Sequence, residues 1–363
     1  MQALLDARLG RRISGIGQYT LQLAEQLTRL APDEVLCAVT ARHRRALATA
    51  GRRPIVVAPT MDLAASAPRV DLVHGPNFHA PALPGARRVA TVHDLGFISL
   101  PECHPPGMPE RLDATIRHTL DDTSLFLCDS TWTQSQFVDY YAVEPERCCV
   151  VPLGVSEQFS PNAGSPQPAV AARLIGIRQP YLLHVGAMVK RKDLGTLLRA
   201  FELAATEQPD LALVLAGNKT RRWASDWPTV RRWLQSNPRL RQRVRILGYV
   251  PAWLLPQLYR DASAVVSTSL LEGFGLTMLE GLASGVPVVA TAGSAVEELA
   301  GEIGYFGQAR DAESYAAAIS SALRGDLARR ARGWELARRL TWRRTAELTL
   351  DAYRTAISAE RRG

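Results

Sequence analysis

The chain has 363 residues, which exceeds the length at which single hydrophobic cores stop growing, so two domains are expected. Hydrophobic residues make up 47% and charged residues 21%, which is ordinary for a folded globular protein and excludes an intrinsically disordered chain. The formal net charge of +8 suits a nucleic acid, an anionic membrane surface or a phosphorylated substrate as partner, and charge alone does not choose among them.

The cysteines and the N-terminal residues indicate the compartment in which the protein is expected. The five cysteines form no CxxC pair and no pattern with the histidines, which argues against a zinc site or a disulfide framework and fits a reducing compartment. Residues 1–8 include an early acid and no long apolar region, unlike a signal peptide, and the uncharged run between Glu280 and Glu297 is too short for a membrane span. We therefore expect a cytoplasmic protein. No RNP-like aromatic string, zinc-finger spacing or basic leucine zipper appears, so nucleic acid is not an expected partner.

Strands and helices alternate in the first half of the chain. A loop over residues 11–19, which contains Gly15-Ile16-Gly17, is predicted to lead into a helix with Tyr19 and Leu23 on its apolar stripe. Ser130 or Thr131 is predicted to cap a helix that starts near Trp132. Near-continuous apolar runs, which suit a parallel sheet covered on both faces, predict strands at 3–5, 35–39, 55–57, 72–74, 88–92, 124–128 and 149–151.

Residues 159–168 are rich in proline and small residues and interrupt this alternation, so we place an inter-domain linker there. The predicted domains are residues 1–158 and residues 169–343.

The arginines between residues 329 and 344, with Trp and Leu among them, predict one amphipathic helical end with a solvated basic face. The second half is again α/β, with a helix at 194–204 and strands at 181–185, 212–216, 244–247, 262–269 and 287–291.

A glycine loop with two acids follows the predicted strand at 262–269. Gly273 and Gly275 let the backbone approach a ligand, and the free amides and positive dipole end of the helix from Leu276 favour an anion such as phosphate. Glu272 lies in the loop and Glu280 about one turn into the helix, so different roles are expected. A carboxylate behind a phosphate cradle suits the hydroxyls of a ribose, which favours Glu280. For a lone glycine loop, an incidental surface acid pair would be the preferred interpretation.

Other strand ends supply further candidate residues. Arg191 and Lys192 follow the strand that ends at Val185, so their charges lie where doubly wound folds bind ligands and where they could hold a diphosphate. Gly217 and the segment Gly248-Tyr249-Val250 end two other strands, where backbone groups could meet a base. His74, His79 and His184 are interpreted as structural.

Taken together, these motifs resemble the retaining GT-B glycosyltransferases of family 4. This resemblance implies an α/β GT-B fold, in which two Rossmann-like domains with parallel sheets face each other across a cleft that holds the active site. It also implies that a last helix, at about residues 344–363, packs back on the N-terminal domain. The motifs that carry it are Ser14-Gly15-Ile16-Gly17-Gln18-Tyr19, Val92-His93-Asp94-Leu95, Val151-Pro152-Leu153-Gly154-Val155, Gly186 with Arg191-Lys192, Gly248-Tyr249-Val250, the E-x7-E element Glu272 to Glu280, and Gly285-Val286-Pro287-Val288-Val289.

The resemblance also implies roles for single residues. Arg191 and Lys192 neutralise the donor diphosphate, Glu272 contacts the transferred sugar, Glu280 binds the ribose diol, and His93 touches the sugar near the reacting carbon. One departure is Ala187, where many members have an arginine, so the charge has to come from Arg191-Lys192. The remaining donor-binding residues are Gly15, Ile16, Gly17, Gly186, Gly217, Tyr249, Val250, Gly273, Phe274, Gly275, Leu276 and Thr277.

The function implied is transfer of a hexosyl group, with retention, from a nucleotide sugar to a glycan or lipid-linked glycan acceptor. The motifs around Gly15 and His93 most resemble mannosyl-type transferases of bacterial surface polysaccharides, which makes GDP-mannose the best-matched donor. No cofactor and no metal are expected, because no DxD-type acid pair appears and two adjacent cations supply the charge.

Alternatives are a UDP-sugar donor and a non-catalytic nucleotide-sugar-binding protein. An epimerase would need further acids and histidines and a phosphorylase a lysine for pyridoxal phosphate, and neither is visible. A basic face flanking a predicted helix is most simply solvated, but it could also dock on anionic lipid and make the protein peripheral at the inner face of the membrane. This face consists of Arg42, Arg44, Arg45, Arg52 and Arg53.

Overall fold

The structure is a computed structural model that describes residues 1–8, 15–40, 55–56, 63, 67–161, 176–177, 180–219 and 224–358. The chain forms two compact units. The first comprises Met1–Leu95, Gly107–Gly154 and Leu340–Gly363, and the second comprises Gly96–Pro106 and Val155–Arg339. The chain passes into the second unit at Val155, four residues before the predicted linker, and residues 162–168 of that linker lie outside the described residues. The arginines of the predicted membrane-docking face also lie outside them, so that hypothesis stays a prediction.

The first unit contains a seven-stranded parallel sheet in the order β3-β2-β1-β4-β5-β6-β7. The predicted apolar runs form these strands, and most side chains of the four central strands β1, β4, β5 and β6 are buried, as expected for a sheet covered on both faces. The strands are β1 (Ala3–Asp6), β2 (Val35–Val39), β3 (Ile55–Val56), β4 (Leu72–Gly75), β5 (Arg87–Val92), β6 (Thr123–Cys128) and β7 (Cys148–Val150).

Among the described residues of this unit there are four helices, and the first of them corrects a predicted boundary. Helix α1 begins at Gly15, so Gly15-Ile16-Gly17 and Tyr19 lie in its first turns and not in a loop. The buried Tyr19 hydroxyl is 2.9 Å from Thr91 Oγ1, and Thr20 Oγ1 donates to the Ile16 carbonyl, so this end of the helix is fixed. The helices are α1 (Gly15–Leu30), α3 (Met108–Thr119), α4 (Thr131–Tyr141) and α13 (Trp342–Ser358); the short α2 (Gly96–Ser99) belongs to the second unit. The Ser130 hydroxyl accepts from the Thr133 amide and caps α4, as predicted.

The amphipathic helix predicted over residues 329–344 is confirmed as far as Arg339, and the last helix, predicted at about residues 344–363, begins two residues earlier. Helix α12 (Leu327–Arg339) ends in the second unit, and α13 begins at Trp342, where Thr341 Oγ1 accepts from the Arg344 amide 3.1 Å away. Helix α13 packs in the first unit: the Tyr353 hydroxyl is 2.7 Å from His74 Nδ1. A side chain at Gly154 would begin 2.0 Å from the Trp342 amide nitrogen, so only glycine fits there.

The second unit contains a six-stranded parallel sheet in the order β10-β9-β8-β11-β12-β13. Its central predicted strand is shorter than expected, because only Ala264–Val266 is extended and the residues after Ser267 turn into the loop that carries Glu272. The strands are β8 (Tyr181–Val185), β9 (Ala212–Ala216), β10 (Val244–Gly248), β11 (Ala264–Val266), β12 (Val288–Thr291) and β13 (Tyr305–Gly307).

The helices of this unit cover both faces of the sheet with apolar side chains. Leu197 and Phe201 of α5 pack with Leu213 and Leu215 of β9 and with Tyr315 of α11 in one buried cluster. No helix among the described residues has the length and apolar character needed to cross a bilayer. The helices are α5 (Leu194–Glu207), α6 (Trp227–Ser236), α7 (Pro238–Arg241), α8 (Leu255–Asp261), α9 (Leu276–Ala283), α10 (Ala295–Ala300), α11 (Ala312–Leu323) and α12.

Candidate active site

The strand order of the second sheet locates its ligand crevice. The order reverses between β8 and β11, and in open α/β sheets ligands bind beyond the carboxyl ends of the strands at such a point. The loop after β8 carries Arg191 and Lys192, and the loop after β11 carries Glu272. The structure therefore brings these three predicted residues together at the expected position.

Arg191, Lys192 and Glu272 form one compact charge cluster. Lys192 Nζ lies 2.6 Å from Glu272 Oε1, and Arg191 Nη1 lies 3.5 Å from Glu272 Oε2. The Arg191 guanidinium also donates to the carbonyl of Leu271. The Lys192 side chain is only 9% exposed and the Glu272 side chain 17%, so the ion pair is largely removed from water. Two cations against one carboxylate leave this cluster with a net positive charge, which suits an anionic ligand.

The two cations decide the protonation state of Glu272. Burial by itself would raise the pKa of this carboxyl, but Lys192 and then Arg191 outweigh burial and lower the pKa to about 2. Removing one partner of a buried ion pair typically costs about 3–5 kcal/mol, because an uncompensated charge stays behind. Glu272 is therefore ionised at neutral pH and holds the Lys192 ammonium in place.

Backbone contacts fix the turn that carries the cations. The Leu270 amide donates to the Arg191 carbonyl over 2.9 Å, and Thr268 Oγ1 donates to the Lys192 carbonyl over 2.8 Å. Asp193 follows in the left-handed conformation with φ 43° and caps α5, its carboxylate accepting from the Thr196 amide. The hydrogen bonds from Leu270 and Thr268, one from a main-chain amide and one from a side-chain hydroxyl, join the strand-end loops of β8 and β11.

Two predicted glycines are required by close contacts. A side chain at Gly217 would begin 1.7 Å from the Gly186 carbonyl oxygen, so the loops after β8 and β9 can touch only with glycine there. Gly275 has φ 92°, and a side chain there would begin 2.6 Å from Val296 Cγ2. Gly275 therefore sets both the conformation and the packing of the loop before α9.

The start of α9 presents backbone donors to the same crevice. The Met278 and Leu279 amides are the first to bond within the helix, both to the Gly275 carbonyl, so the amides of Leu276 and Thr277 have no intrahelical acceptor. Such amides and the helix dipole favour an anion. The Phe274 side chain is buried, which anchors the loop between Gly273 and α9.

Glu280 lies one turn into α9 in an environment unlike that of Glu272. The Tyr259 hydroxyl, on α8, donates to Glu280 Oε2 over 2.7 Å. Burial raises the pKa of Glu280 to about 7, and the bond from Tyr259 acts in the opposite direction. Sequence reasoning missed Tyr259, because nothing in its spacing links it to Glu280.

The predicted base-binding segment follows β10. Gly248 has φ 68°, and the next residue, Tyr249, is 62% exposed, which is unusual for a large aromatic side chain. Val250 comes after it and precedes Pro251. An exposed aromatic ring at a strand end can stack on a flat ligand.

The predicted residues of the first unit follow two of its strands, β1 and β5. Its sheet reverses order between β1 and β4, and α1, which begins with Gly15-Ile16-Gly17, follows β1. His93 follows β5 and is held on both ring nitrogens: Nδ1 lies 2.7 Å from Asp129 Oδ2, and Nε2 lies 3.0 Å from the Pro76 carbonyl oxygen. The Tyr19 ring packs edge-on against the His93 ring.

The partners of His93 favour its charged form. Both are acceptors, so both ring nitrogens donate when the imidazolium forms. Burial lowers the pKa of His93, but Asp129 outweighs burial and the net pKa is raised. Sequence reasoning missed Asp129, although it follows β6, the neighbour of β5, and the carboxyl ends of adjacent parallel strands lie side by side.

The histidines interpreted as structural differ from one another. His74 is buried, and its ring nitrogens bond to Tyr353 and Thr91. His184 is also buried, and Nδ1 is 3.0 Å from the Val266 carbonyl, but Nε2 has no hydrogen-bond partner among the described residues. Burial and then the Lys192 charge lower the pKa of His184 to about 4, so it is neutral.

Known proteins resemble the chain over both units. The family model described as Glycosyltransferase Family 4 matches residues 13–159, and the model described as Glycosyl transferases group 1 matches residues 179–325. O-antigen chain mannosyltransferase B of Escherichia coli is 29% identical over 374 aligned residues, which cover 94% of this chain and 96% of that protein. A D-inositol 3-phosphate glycosyltransferase of Acidothermus cellulolyticus is 33% identical over 249 residues, and these span 65% of this chain and 54% of that relative.

Solved structures share the fold over nearly the whole chain. Anabaena Alr3699/HepE in complex with UDP aligns with a TM-score of 0.75 at 19% identity, covering 98% of this chain and 100% of that one. WaaG, a glycosyltransferase involved in lipopolysaccharide biosynthesis, aligns with a TM-score of 0.71 at 17% identity, covering 97% and 99%. With two Rossmann-like units, family models on both halves and these structural neighbours, the chain belongs to glycosyltransferase family 4 and has the GT-B fold.

Proposed function

We propose that this glycosyltransferase moves a hexosyl group from a nucleotide sugar to a glycan or lipid-linked glycan acceptor, with retention of configuration and without a metal ion. The donor that we propose is GDP-mannose. The observation that carries the proposal is the Arg191, Lys192 and Glu272 cluster at the switch point of the second sheet.

The charges of this cluster suit breakage of a bond to diphosphate. As the glycosidic bond breaks, an oxocarbenium-like sugar and an anionic leaving group develop, so fixed positive charge at the phosphate stabilises the transition state more than the ground state. The main-chain carbonyls of Arg191 and Lys192 accept hydrogen bonds from the Leu270 amide and the Thr268 hydroxyl, and such fixed positions are the preorganisation that this stabilisation needs. They supply the positive charge that a divalent cation supplies elsewhere, which supports a metal-independent reaction.

Other residues of the second unit then take complementary roles. The free amides of Leu276 and Thr277 bind a phosphate or sugar oxygen, Glu272 contacts the transferred sugar, and Glu280 accepts the ribose hydroxyls. Tyr249 and Val250 meet the base. His93 and Gly15 to Gly17 of the first unit keep the roles that the family resemblance gives them, contact with the sugar and with the diphosphate.

The relatives support the choice of substrate class. The E. coli relative, which aligns along nearly its whole length, is named for mannosyl transfer to an O-antigen chain. This favours a mannosyl donor and a surface-polysaccharide acceptor. A UDP-sugar is the second candidate donor, because Alr3699/HepE was solved with UDP and with UDP-glucose.

The test is a donor panel with the purified chain. GDP-mannose, GDP, UDP-glucose and UDP are compared by thermal shift, because a ligand that binds only the folded state raises apparent stability. GDP-mannose is then incubated with a mannose-terminated oligosaccharide, with and without EDTA, and the anomeric configuration of the product is determined by NMR. We expect acceptor-dependent release of GDP, insensitivity to EDTA and a product with the donor's α configuration.

Each part of the proposal would be contradicted by a different result. A larger thermal shift with UDP-glucose than with GDP-mannose would replace the donor. An inverted product would contradict retention, and loss of activity with EDTA would contradict metal independence. Tight nucleotide-sugar binding without turnover on any acceptor would favour the non-catalytic binder.

A further inference from the structure

The Tyr259 hydroxyl is positioned to act on the nucleotide through Glu280. It donates to Glu280 Oε2 over 2.7 Å, the length of a strong hydrogen bond to a carboxylate. Burial raises the pKa of Tyr259 well above its ordinary value, so the phenol keeps its proton and donates at every accessible pH. One carboxylate oxygen of Glu280 is thus engaged by Tyr259, and the other is left for a ligand.

Tyr259 itself is held firmly. It is fully buried, and its ring packs edge-on against Phe159 with centroids 5.4 Å apart and planes at 90°. The next residue of α8, Arg260, donates to the Gln158 carbonyl over 3.1 Å. The residues on either side of Phe159 are therefore tied to the helix that carries Tyr259, and its hydroxyl has a fixed direction.

Polar and charged side chains on α8 and α12, the helices around α9, bond to groups other than Glu280. On α8, Gln257 Nε2 donates to Asp261, and Arg260 bonds to Gln158 and to the Gln257 side chain. On α12, Arg329 lies over the Tyr305 ring and Arg330 donates to the Gly285 carbonyl. Within the described part of the chain, burial and the Tyr259 hydroxyl are what shift the pKa of Glu280.

We infer that Tyr259 is a positioning residue of the nucleotide site: its hydrogen bond favours the ionised form of Glu280 and orients the carboxylate so that it can accept the ribose diol. This rests on the proposed ribose-binding role of Glu280. A neutral carboxylic acid is a poorer acceptor for two hydroxyls than a carboxylate, so ribonucleotide affinity follows the ionisation of Glu280.

The test compares Tyr259→Phe with a matched control, Tyr181→Phe. Tyr181 is an equally buried tyrosine of the same unit, and its hydroxyl donates to the Leu258 backbone carbonyl over 2.7 Å, so this control loses a buried hydroxyl bond that does not reach Glu280. Affinities for GDP and 2′,3′-dideoxy-GDP, and for UDP and its dideoxy form, are measured between pH 5.5 and 8.5 by calorimetry. The ratio of ribo to dideoxy affinity cancels the titration of the phosphates.

In the wild type we expect this ratio to fall as pH decreases through about 7, the pKa of Glu280. Tyr259→Phe removes a bond that favours the ionised form, so the midpoint moves up by about one pH unit and the ratio at pH 7.5 falls about 3- to 10-fold. Tyr181→Phe keeps the wild-type ratio and midpoint.

Two results overturn the inference, and they are distinguishable. If the wild type prefers the ribonucleotide but Tyr259→Phe keeps the wild-type ratio and midpoint, or if Tyr181→Phe changes both as much, Tyr259 has only a structural role. If the wild type itself does not distinguish GDP or UDP from the dideoxy forms, the ribose assignment of Glu280 fails and the role of Tyr259 fails with it.

Discussion

Glu272 and Glu280 lie on either side of one glycine loop, yet their surroundings push their acidities in opposite directions. Lys192 and Arg191 overcome burial at Glu272 and lower its pKa to about 2. Glu280 forms no ion pair with any cation in the described part of the chain, and burial raises its pKa to about 7. Both carboxyls are withdrawn from water. The nature of the partner, a cation or a hydroxyl, therefore decides which carboxyl stays ionised.

The opposite ionisation of Glu272 and Glu280 suits two different proposed roles in the site. Glu272 stays ionised and pairs with Lys192 and Arg191 at any physiological pH, which suits the role at a diphosphate that we propose for these cations. Glu280 titrates near neutrality, so a function that needs its ionised form is sensitive to pH. The opposite ionisation of the two carboxyls can be tested by changing either carboxyl or the residues around it.

The largest effect is expected from Lys192→Met, which removes the nearer of the two cations and leaves Arg191 at 3.5 Å from Glu272. Loss of the charge at the leaving group is expected to reduce transfer on the order of 100-fold or more, measured as kcat/KM for the donor. Unfolding stability is expected to fall by about 3 kcal/mol in urea titrations.

Two comparisons sharpen this prediction. Lys190→Met removes an exposed lysine from the same turn and is expected to change stability by less than about 0.5 kcal/mol. The double variant Lys192→Met with Glu272→Gln is expected to be more stable than Lys192→Met alone, because it no longer holds a buried carboxylate that has lost its nearer cation. Equal or lower stability of the double variant would contradict the ion-pair interpretation.

The loop between the two acids is tested by Gly275→Ala. The added methyl meets Val296 Cγ2 at 2.6 Å and forces a left-handed alanine, so stability is expected to fall by about 2–3 kcal/mol. Gly248→Ala shares the left-handed backbone, with φ 68°, but meets no atom within 4 Å, and is expected to cost about 1 kcal/mol. Equal losses in the two variants would mean that the contact with Val296 is unimportant.

A third buried carboxylate, Asp129 of the first unit, pairs with a titrating cation. Because Asp129 raises the pKa of His93, this pairing contributes stability that is fully present below the ordinary histidine pKa of 6.5 and is lost as pH rises through the folded-state pKa. Asp129→Asn is therefore expected to lower stability by about 1–2 kcal/mol at pH 6 and by less at pH 9.5, measured by thermal and urea unfolding. A loss that does not change with pH would contradict a charged His93.

The sequence predicted those residues of the site whose position depends only on which strand they follow along the chain. Apolar runs marked the strands, and Arg191, Lys192 and Glu272 follow strand ends, so a parallel sheet brings them together without further information. The start of α1 at Gly15 was missed, and the last helix was predicted to start at about residue 344 instead of Trp342, because helix ends depend on single capping contacts such as that of Thr341.

The sequence did not predict partners on separate elements. Tyr259 and Glu280 are 21 residues apart on different helices, and only the packing of α8 against α9 joins them. The Asp129 contact with His93 similarly depends on the adjacency of β5 and β6. The opposite acidities of Glu272 and Glu280 follow from such contacts and cannot be seen in the E-x7-E spacing.

The most direct measurement is the pH dependence of GDP affinity relative to 2′,3′-dideoxy-GDP in the wild type, Glu272→Gln and Glu280→Gln. We predict that the ribonucleotide preference falls about 10-fold as pH decreases through about 7 in the wild type and in Glu272→Gln, and that it is small and independent of pH in Glu280→Gln. A transition that persists in Glu280→Gln, or one that disappears in Glu272→Gln, would contradict the division of roles between the two carboxylates.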